Sequence, residues 1–141
     1  MNTEYTITDE TPSPEEFIAL RTAVGWGGPS LETLAGGLSG SLMCVSVRKD
    51  GRPVGFGRVI GDGLMAFYVQ DIIIHPDHQR KGLGKAVMDR IMAWIDSVGR
   101  DDSYVGLMAA SGVSEFYEQF GFTVRPPNAP GMQLWLKHRR R

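Results

Sequence analysis

Apolar residues recur along this chain in two rhythms, and the change from one to the other outlines the fold. EYTIT (4–8) predicts a short first strand. TPSPEEFIALRTAV then reads with a helical period. Ser13 is placed to cap that helix, with Pro14 in its first turn and Glu16 three residues on as in a capping box. Phe17, Ile18, Leu20, Ala23 and Val24 form its apolar face, and Gly25 ends it. GWGGPS is a loop, and SLETLAGGL is a second short helix capped by Ser30. From Ser41 to Pro76 the period drops to two. SLMCVSVRKDGRPVGFGRVIGDGLMAFYVQDIIIHP predicts three antiparallel strands joined by tight turns at Asp50-Gly51 and Asp62-Gly63. The third strand, about 65–75, ends in the unbroken run Ile72-Ile73-Ile74, which predicts burial on both faces as in a central strand.

A helical stripe returns from about Gly82 to Val98, made by Leu83, Val87, Ile91 and Ile95 with Met88 and Trp94 nearby, and Gly99 is placed to cap its end. YVGLMAA reads as a buried strand at about 104–109, SGVSEFYEQFG as a short helix closed by Gly121, FTVR as a strand, PPNAPG as a loop and MQLWLKH as a last strand. The predicted order is β-α-α-β-β-β-α-β-α-β-β.

Composition narrows the class. The 141 residues, 42% hydrophobic and 22% charged, suit one globular domain over 1–141 with its own core. A net charge of −1 gives no general argument for nucleic acid or a membrane surface, so neither is expected as a partner and any basic patch must be local. Cys44 is the single cysteine, which excludes an internal disulfide and a cysteine-based metal site; it reads as a core residue. No apolar run reaches membrane-spanning length, and Asp9 and Glu10 argue against a signal peptide, so a cytoplasmic protein is expected. The basic tail Arg139-Arg140-Arg141 reads as solvated.

The local basic patch lies where the third strand gives way to the long helix, at Gln79-Arg80-Lys81-Gly82-Leu83-Gly84-Lys85. A helix N-terminus offers unpaired N–H groups and the positive end of the helix dipole. Gly82 and Gly84 let the backbone bend and a ligand approach, and Arg80, Lys81 and Lys85 add positive charge. This combination predicts a phosphate site rather than a plain turn with a solvated charge run. A Walker A loop is absent. GxGxxG is half present, with Val87 in place of the third glycine, but three meander strands come first where a dinucleotide-binding unit would begin with parallel βαβ alternation.

At this point the residues resemble the GNAT superfamily of acyl-CoA-dependent N-acyltransferases. The family pattern is an apolar strand ending near a proline, then [QR]-x-x-G-x-[GA], then a helix. Ile72-Ile73-Ile74-His75-Pro76 followed by Gln79-Arg80-Lys81-Gly82-Leu83-Gly84 matches it throughout, and the FYxxxGF signature is present at 116–122. The resemblance implies an α/β (α+β) fold with a mixed, mostly antiparallel central sheet and helices on both faces. It implies acetyl-CoA as acyl donor, with its pyrophosphate on the backbone N–H groups of Arg80 through Lys85. It also implies that Ile72, Ile73 and Ile74 bind the pantetheine arm like an added strand, where the central strand splays from its parallel neighbour at about 104–109.

Amine acetylation needs a proton taken from nitrogen, stabilisation of an oxyanion and a proton given to the departing thiolate. Direct transfer needs neither a metal nor a covalent enzyme intermediate. The resemblance makes Tyr117 the acid that donates to the sulfur. The base stays open. Alternation puts Tyr68, Gln70, Ile72 and Ile74 on one strand face and Val69 and Asp71 on the other. The family often places a Glu or His near positions 68 and 70, and this sequence has neither. A water relay past Tyr68 and Gln70 is one answer; Asp71, turned inward by a bulge, is another; His75 reads as a strand-end surface residue. The acceptor side is expected to use Trp26 with its glycine-rich loop and Asn128 in the PPNAPGM loop. Without an acidic cluster to hold a polycation, a small-molecule amine is the expected acceptor. A homodimer stays open, and the alternative to an acetyltransferase is a non-catalytic acyl-CoA-binding sensor on the same fold.

Overall fold

The computed structural model describes residues 4–140, in two compact units divided between Leu107 and Met108. The first holds a five-stranded sheet in the order β1 (Thr6–Thr8), β2 (Met43–Lys49), β3 (Arg52–Gly61), β4 (Ala66–Ile74), β5 (Tyr104–Gly106). The first three pairings are antiparallel and β4–β5 is parallel, so the sheet is mixed and mostly antiparallel, as expected.

Helix α1 (Pro14–Ala23) begins at the expected capping box. The Glu16 amide donates to Ser13 Oγ at 3.1 Å and the Ser13 amide to Glu16 Oε1 at 3.0 Å. Helix α2 (Leu31–Ser39) is capped by Ser30. Phe17 and Leu20 of α1 and Leu34 and Leu38 of α2 pack with Cys44, Phe56 and Ile73 on one face of the sheet. Helix α3 (Leu83–Val98) covers the other. A methyl group built on Gly57 would meet Val87 and Ile91 of α3 and Ile72 of β4 within 3.0 Å, and Gly57 follows Phe56 on the strand, so it points the opposite way. Helices therefore lie on both faces.

The two hairpins differ. Lys49 pairs with Arg52 across a two-residue turn whose Asp50 and Gly51 both have positive φ (51° and 76°), the conformation a tight hairpin demands. The second is wider than expected. Pairing resumes at Gly61↔Phe67, and the Asp62 carboxylate accepts from the amides of Leu64, Met65 and Ala66, which stabilises a five-residue loop in place of a tight turn.

Strand β4 departs from simple alternation. Phe56 pairs with Ile73 and Arg58 with Gln70, so Gly57 alone faces both Asp71 and Ile72: a β-bulge, with Asp71 at φ 56°. The bulge reverses the faces beyond it. Phe67, whose ring meets Trp94 of α3, and Ile72, which meets Val87 and Ile91, lie on the α3 side; Ile73 and Asp71 lie on the α1/α2 side. Tyr68 and Gln70 thus do not share a face with Ile72 and Ile74. Burial on both faces holds for Ile73 alone; Ile72 and Ile74 are half-buried.

The second unit, from Met108 onward, contains α4 (Ser114–Glu118) and α5 (Leu136–Arg139) and, among its described residues, no strand. The expected strands FTVR and MQLWLKH are not formed, and the expected strand at 104–109 stops at Gly106 with Met108 exposed rather than buried. A strand is stabilised by its cross-strand neighbours, and alternating apolar residues supply none by themselves. Val124, Met132, Leu134 and Trp135 are all exposed, and prolines 126, 127 and 130 interrupt the stretch between the two segments.

Candidate active site

The turn between β4 and α3 is built to expose backbone N–H groups. After Ile74, residues Pro76–His78 form a single 3-10 turn, steadied by the Asp77 amide donating to His75 Nδ1 at 3.1 Å. Gln79 does not extend its side chain outward; its Nε2 donates back to Ile74 O at 3.0 Å and pins the turn to the end of the strand. Arg80 and Gly82 then both adopt left-handed backbone conformations, φ 64° and 79°. Helix α3 starts at Leu83 with Gly82 as N-cap and without a side-chain cap. Left-handed residues between right-handed or extended ones turn successive N–H groups toward a common point, and at an uncapped helix start that point is an anion site.

The side chains around this backbone divide in role. Leu83 is fully buried, so only its amide is available to a ligand, and its side chain anchors the helix start in the core. Arg80 and Lys81 are exposed. Lys85 is not a free cation as the sequence suggested: Nζ bonds Asp89 Oδ2 at 2.7 Å, one helical turn on. Nothing lies within 4 Å of a methyl group built on Gly82, so the space over the turn is open.

Beside the turn, β4 has a free stretch of backbone. Its parallel pairing with β5 runs Ala66↔Tyr104, Phe67↔Val105 and Tyr68↔Gly106 and ends there, while β4 continues to Ile74. Among the described residues, Val69 to Ile74 thus pair with β3 on one edge only. An extended ligand can add itself to such an edge through main-chain hydrogen bonds. The pairing ends at Tyr68 because β5 itself stops at Gly106.

A model of the acetyltransferase (GNAT) domain family matches residues 40–124, well over half the chain. The chain belongs to the GNAT family. It is similar to a probable acetyltransferase from methicillin-resistant Staphylococcus aureus, with 32% identity, a TM-score of 0.89, and 93% of this chain and 98% of that one covered. It is 40% identical to the rice serotonin N-acetyltransferase 2, chloroplastic, over 60% of this chain and 42% of that protein. It is 30% identical to the soybean histone acetyltransferase TAP1, over 85% of this chain and 56% of that protein. The chain thus spans less than two thirds of the length of either plant protein.

Within this GNAT fold the remaining residues fall into two groups. Asp71 is turned by a bulge, but onto two arginines: Oδ1 accepts from Arg21 Nη1 at 2.6 Å and Oδ2 from Arg58 Nε at 2.8 Å. With both oxygens engaged by guanidinium groups it is a structural carboxylate, which removes it as a candidate base. Tyr68 lies on the same face. Burial, with a smaller contribution from Tyr104, raises its pKa above the ordinary tyrosine value, so it stays protonated at neutral pH and can order a water but not abstract a proton. Trp26 is partly exposed, with its ring 5.6 Å from the Arg21 guanidinium. Sequence reasoning missed both Arg21 and Arg58. An arginine on an amphipathic helix carries no sign of a partner 50 residues away.

Tyr117 and Asn128 lie in the second unit. Tyr117 is on α4, its ring 5.0 Å from Phe116 and 6.3 Å from Phe122, and burial raises its pKa above the ordinary value. Phe116 and Phe120 pair at i, i+4 with ring centroids 5.4 Å apart, which leaves Tyr117 beside that stripe as expected. Asn128 is exposed. Cys44 is a core residue, its thiol pKa pushed up by burial, which makes it a poor nucleophile. Among the described residues no cluster of His, Cys, Asp or Glu is arranged to hold a metal.

Proposed function

We propose that this chain, acting as one functional domain, transfers an acetyl group from acetyl-CoA to a primary amine of a small molecule by direct attack on the thioester. The observation that carries this reading is the continuity of two backbone surfaces. The β4 edge that has no strand neighbour through Ile72–Ile74, with Ile74 O already engaged by Gln79, leads through the short turn at Pro76–His78 into the uncapped, left-handed turn at Arg80–Lys85. A ligand with an extended amide-bearing arm and a pyrophosphate at its end fits that sequence of groups. Amides from Arg80 to Lys85 bind the phosphates, Arg80 and Lys81 add charge, and Gln79 braces the turn.

Tyr117 is the proposed acid. A hydroxyl with a raised pKa is fully protonated at neutral pH and can give its proton to the thiolate as the tetrahedral intermediate collapses. The amine proton leaves through water ordered by Tyr68 and Gln70. Trp26 and Asn128 are the proposed acceptor contacts. The rice relative is named for serotonin and the soybean relative for histone, so membership of the family does not select the acceptor. The near-neutral charge gives no general electrostatic pull toward nucleic acid or a membrane surface, and neither is proposed as a partner; a cytoplasmic location is part of the same proposal. The absence of a Glu or His at 68 and 70 favours a second reading, an acyl-CoA sensor without turnover.

Calorimetric titration with acetyl-CoA, followed by thiol release over a panel of small amines, tests these readings. Binding with acceptor-dependent thiol release supports the enzyme; binding without release over the whole panel supports the sensor; failure to bind acetyl-CoA overturns both. With a good acceptor, Tyr117→Phe should lower kcat by about 100-fold, the low end for general acid catalysis, and leave acetyl-CoA affinity within about twofold. A kcat within about threefold of wild type would remove Tyr117 from the catalytic list.

A further inference from the structure

Arg21 joins α1 and the loop that follows it to a strand 50 residues away. Its Nη1 donates to Asp71 Oδ1 on the β4 bulge at 2.6 Å, and its Nε donates to Gly27 O in the loop between α1 and α2, also at 2.6 Å. Its guanidinium lies 5.6 Å from the Trp26 ring centroid. The Trp26 amide in turn donates to Arg21 O at 2.8 Å, and a methyl group built on Gly28 would lie 2.6 Å from Ile18 and 3.2 Å from Arg21. The loop is therefore held to Arg21 through both its side chain and its backbone. The second oxygen of Asp71 is held by Arg58, which also reaches Ser41 Oγ at 3.1 Å.

A carboxylate only 6% exposed, between two guanidiniums, is an expensive way to hold a sheet together. Apolar residues would serve stability as well or better. Its distinctive property is geometric. Asp71 has the left-handed backbone that makes the bulge, a conformation that Asp visits more readily than most residues and that gains from a hold on its side chain. Arg21 and Arg58 supply that, and Arg21 passes the same constraint to the loop through a second, differently directed N–H.

We propose that Arg21 is a positioning residue that couples the two sides of the site. It ties the Trp26–Gly28 loop, on the acceptor side, to the Asp71 bulge, which sets the backbone of Ile72–Ile74 on the donor side. The assignment of those sides rests on the function proposed above; the mechanical coupling does not.

Hydrogen exchange of the full chain, read by mass spectrometry, tests it in Asp71→Asn, Arg21→Lys and Arg58→Lys. Asp71→Asn alters nothing in the loop, yet it should speed exchange of the 24–28 amides by about tenfold, because the charge-assisted bond that steadies Arg21 is weakened. Arg21→Lys should do the same, since an ammonium cannot serve Asp71 and Gly27 in a guanidinium's fixed geometry. Arg58→Lys should leave the loop as in wild type. In turnover, Arg21→Lys should raise the acceptor KM about tenfold and weaken acetyl-CoA binding by a smaller factor of about three, with kcat within about threefold. Unchanged loop exchange in Asp71→Asn overturns the coupling. So does a uniform rise over the whole chain in Arg21→Lys, which would mark a merely structural arginine. If Asp71→Asn does not fold, exchange of the 69–74 amides in Arg21→Lys decides: acceleration there supports the coupling and wild-type rates overturn it. Loop effects as expected in a protein that fails to bind acetyl-CoA would keep the coupling and discard the proposed function.

Discussion

The N-termini of α1 and α3 are opposite solutions to one problem. Each helix begins with backbone N–H groups that have no partner inside the helix. At α1 the protein closes the end itself. Ser13 and Glu16 exchange bonds, and the Glu16 carboxylate goes on to accept from Arg48 at 2.9 and 3.1 Å, tying the helix start to β2. At α3 a left-handed glycine stands where a serine or aspartate would give stability, and the side chains alongside are basic rather than acidic. A side-chain cap worth about a few tenths of a kcal/mol over glycine is forgone at α3. Sealed ends hold the fold, and the unsealed end is where a ligand's phosphates can complete it.

The largest expected effect comes from sealing the open end. Gly82→Asp places a carboxylate where phosphate would bind; no protein atom lies within 4 Å of a methyl group there, so the protein itself leaves room for the side chain, although the φ of 79° strains it. Acetyl-CoA affinity should fall by at least about 100-fold, against a smaller loss for the neutral, left-handed-tolerant Gly82→Asn. Calorimetry on both variants checks this, and equal losses would show that shape rather than charge matters at the turn.

The second effect is smaller because it removes charge without adding a competitor. Arg80→Gln with Lys81→Gln should weaken acetyl-CoA binding by about tenfold, with less dependence on salt than in wild type. An undiminished salt slope would move the phosphates away from these two side chains. Lys85 is left out of the pair because Asp89 already engages it.

These contrasts also mark how far the sequence could be read. Both helix starts were legible because their information is local: Ser13-Pro14 and Glu16 in one, Gly82 and Gly84 among bases in the other. The Asp50-Gly51 hairpin was legible for the same reason, since its two left-handed residues are adjacent. The bulge was not. Asp71 takes its conformation from Arg21 and Arg58, 50 and 13 residues away, and alternation alone therefore put Ile72 and Ile74 on the wrong face. MQLWLKH failed in the opposite way. Its alternation is plain, but a strand is a relation to a neighbour, and in the second unit that apolar pattern stands exposed.

The sealed end predicts a loss of a different kind. Ser13→Ala should cost about 1 kcal/mol of stability, seen as a fall of a few degrees in Tm, and leave acetyl-CoA affinity unchanged. A change in affinity would mean that the two helix ends are not independent.

The smallest effect sharpens what the seal is made of. The hydrogen bond from Arg48, followed by that from the Ser13 amide, lowers the Glu16 pKa from an ordinary 4.5 to about 2. A carboxylate whose folded pKa is depressed binds its proton more weakly in the folded chain than in the unfolded one. Its contribution is therefore complete above about pH 4.5 and is lost as pH falls toward about 2. The Glu16 side chain is 32% exposed, so solvent screening reduces that contribution to about 1 kcal/mol or less. Glu16→Gln keeps an acceptor for the Ser13 amide and removes only the charge. The Tm difference between wild type and Glu16→Gln should be greatest near pH 7 and should close as pH falls from about 4.5 toward about 2, because the unfolded wild-type chain takes up a proton there that the folded chain still resists. A difference that stayed constant to about pH 2.5, measured by thermal melts across that range, would assign the seal to the shape of the capping box rather than to the Glu16–Arg48 charge pair.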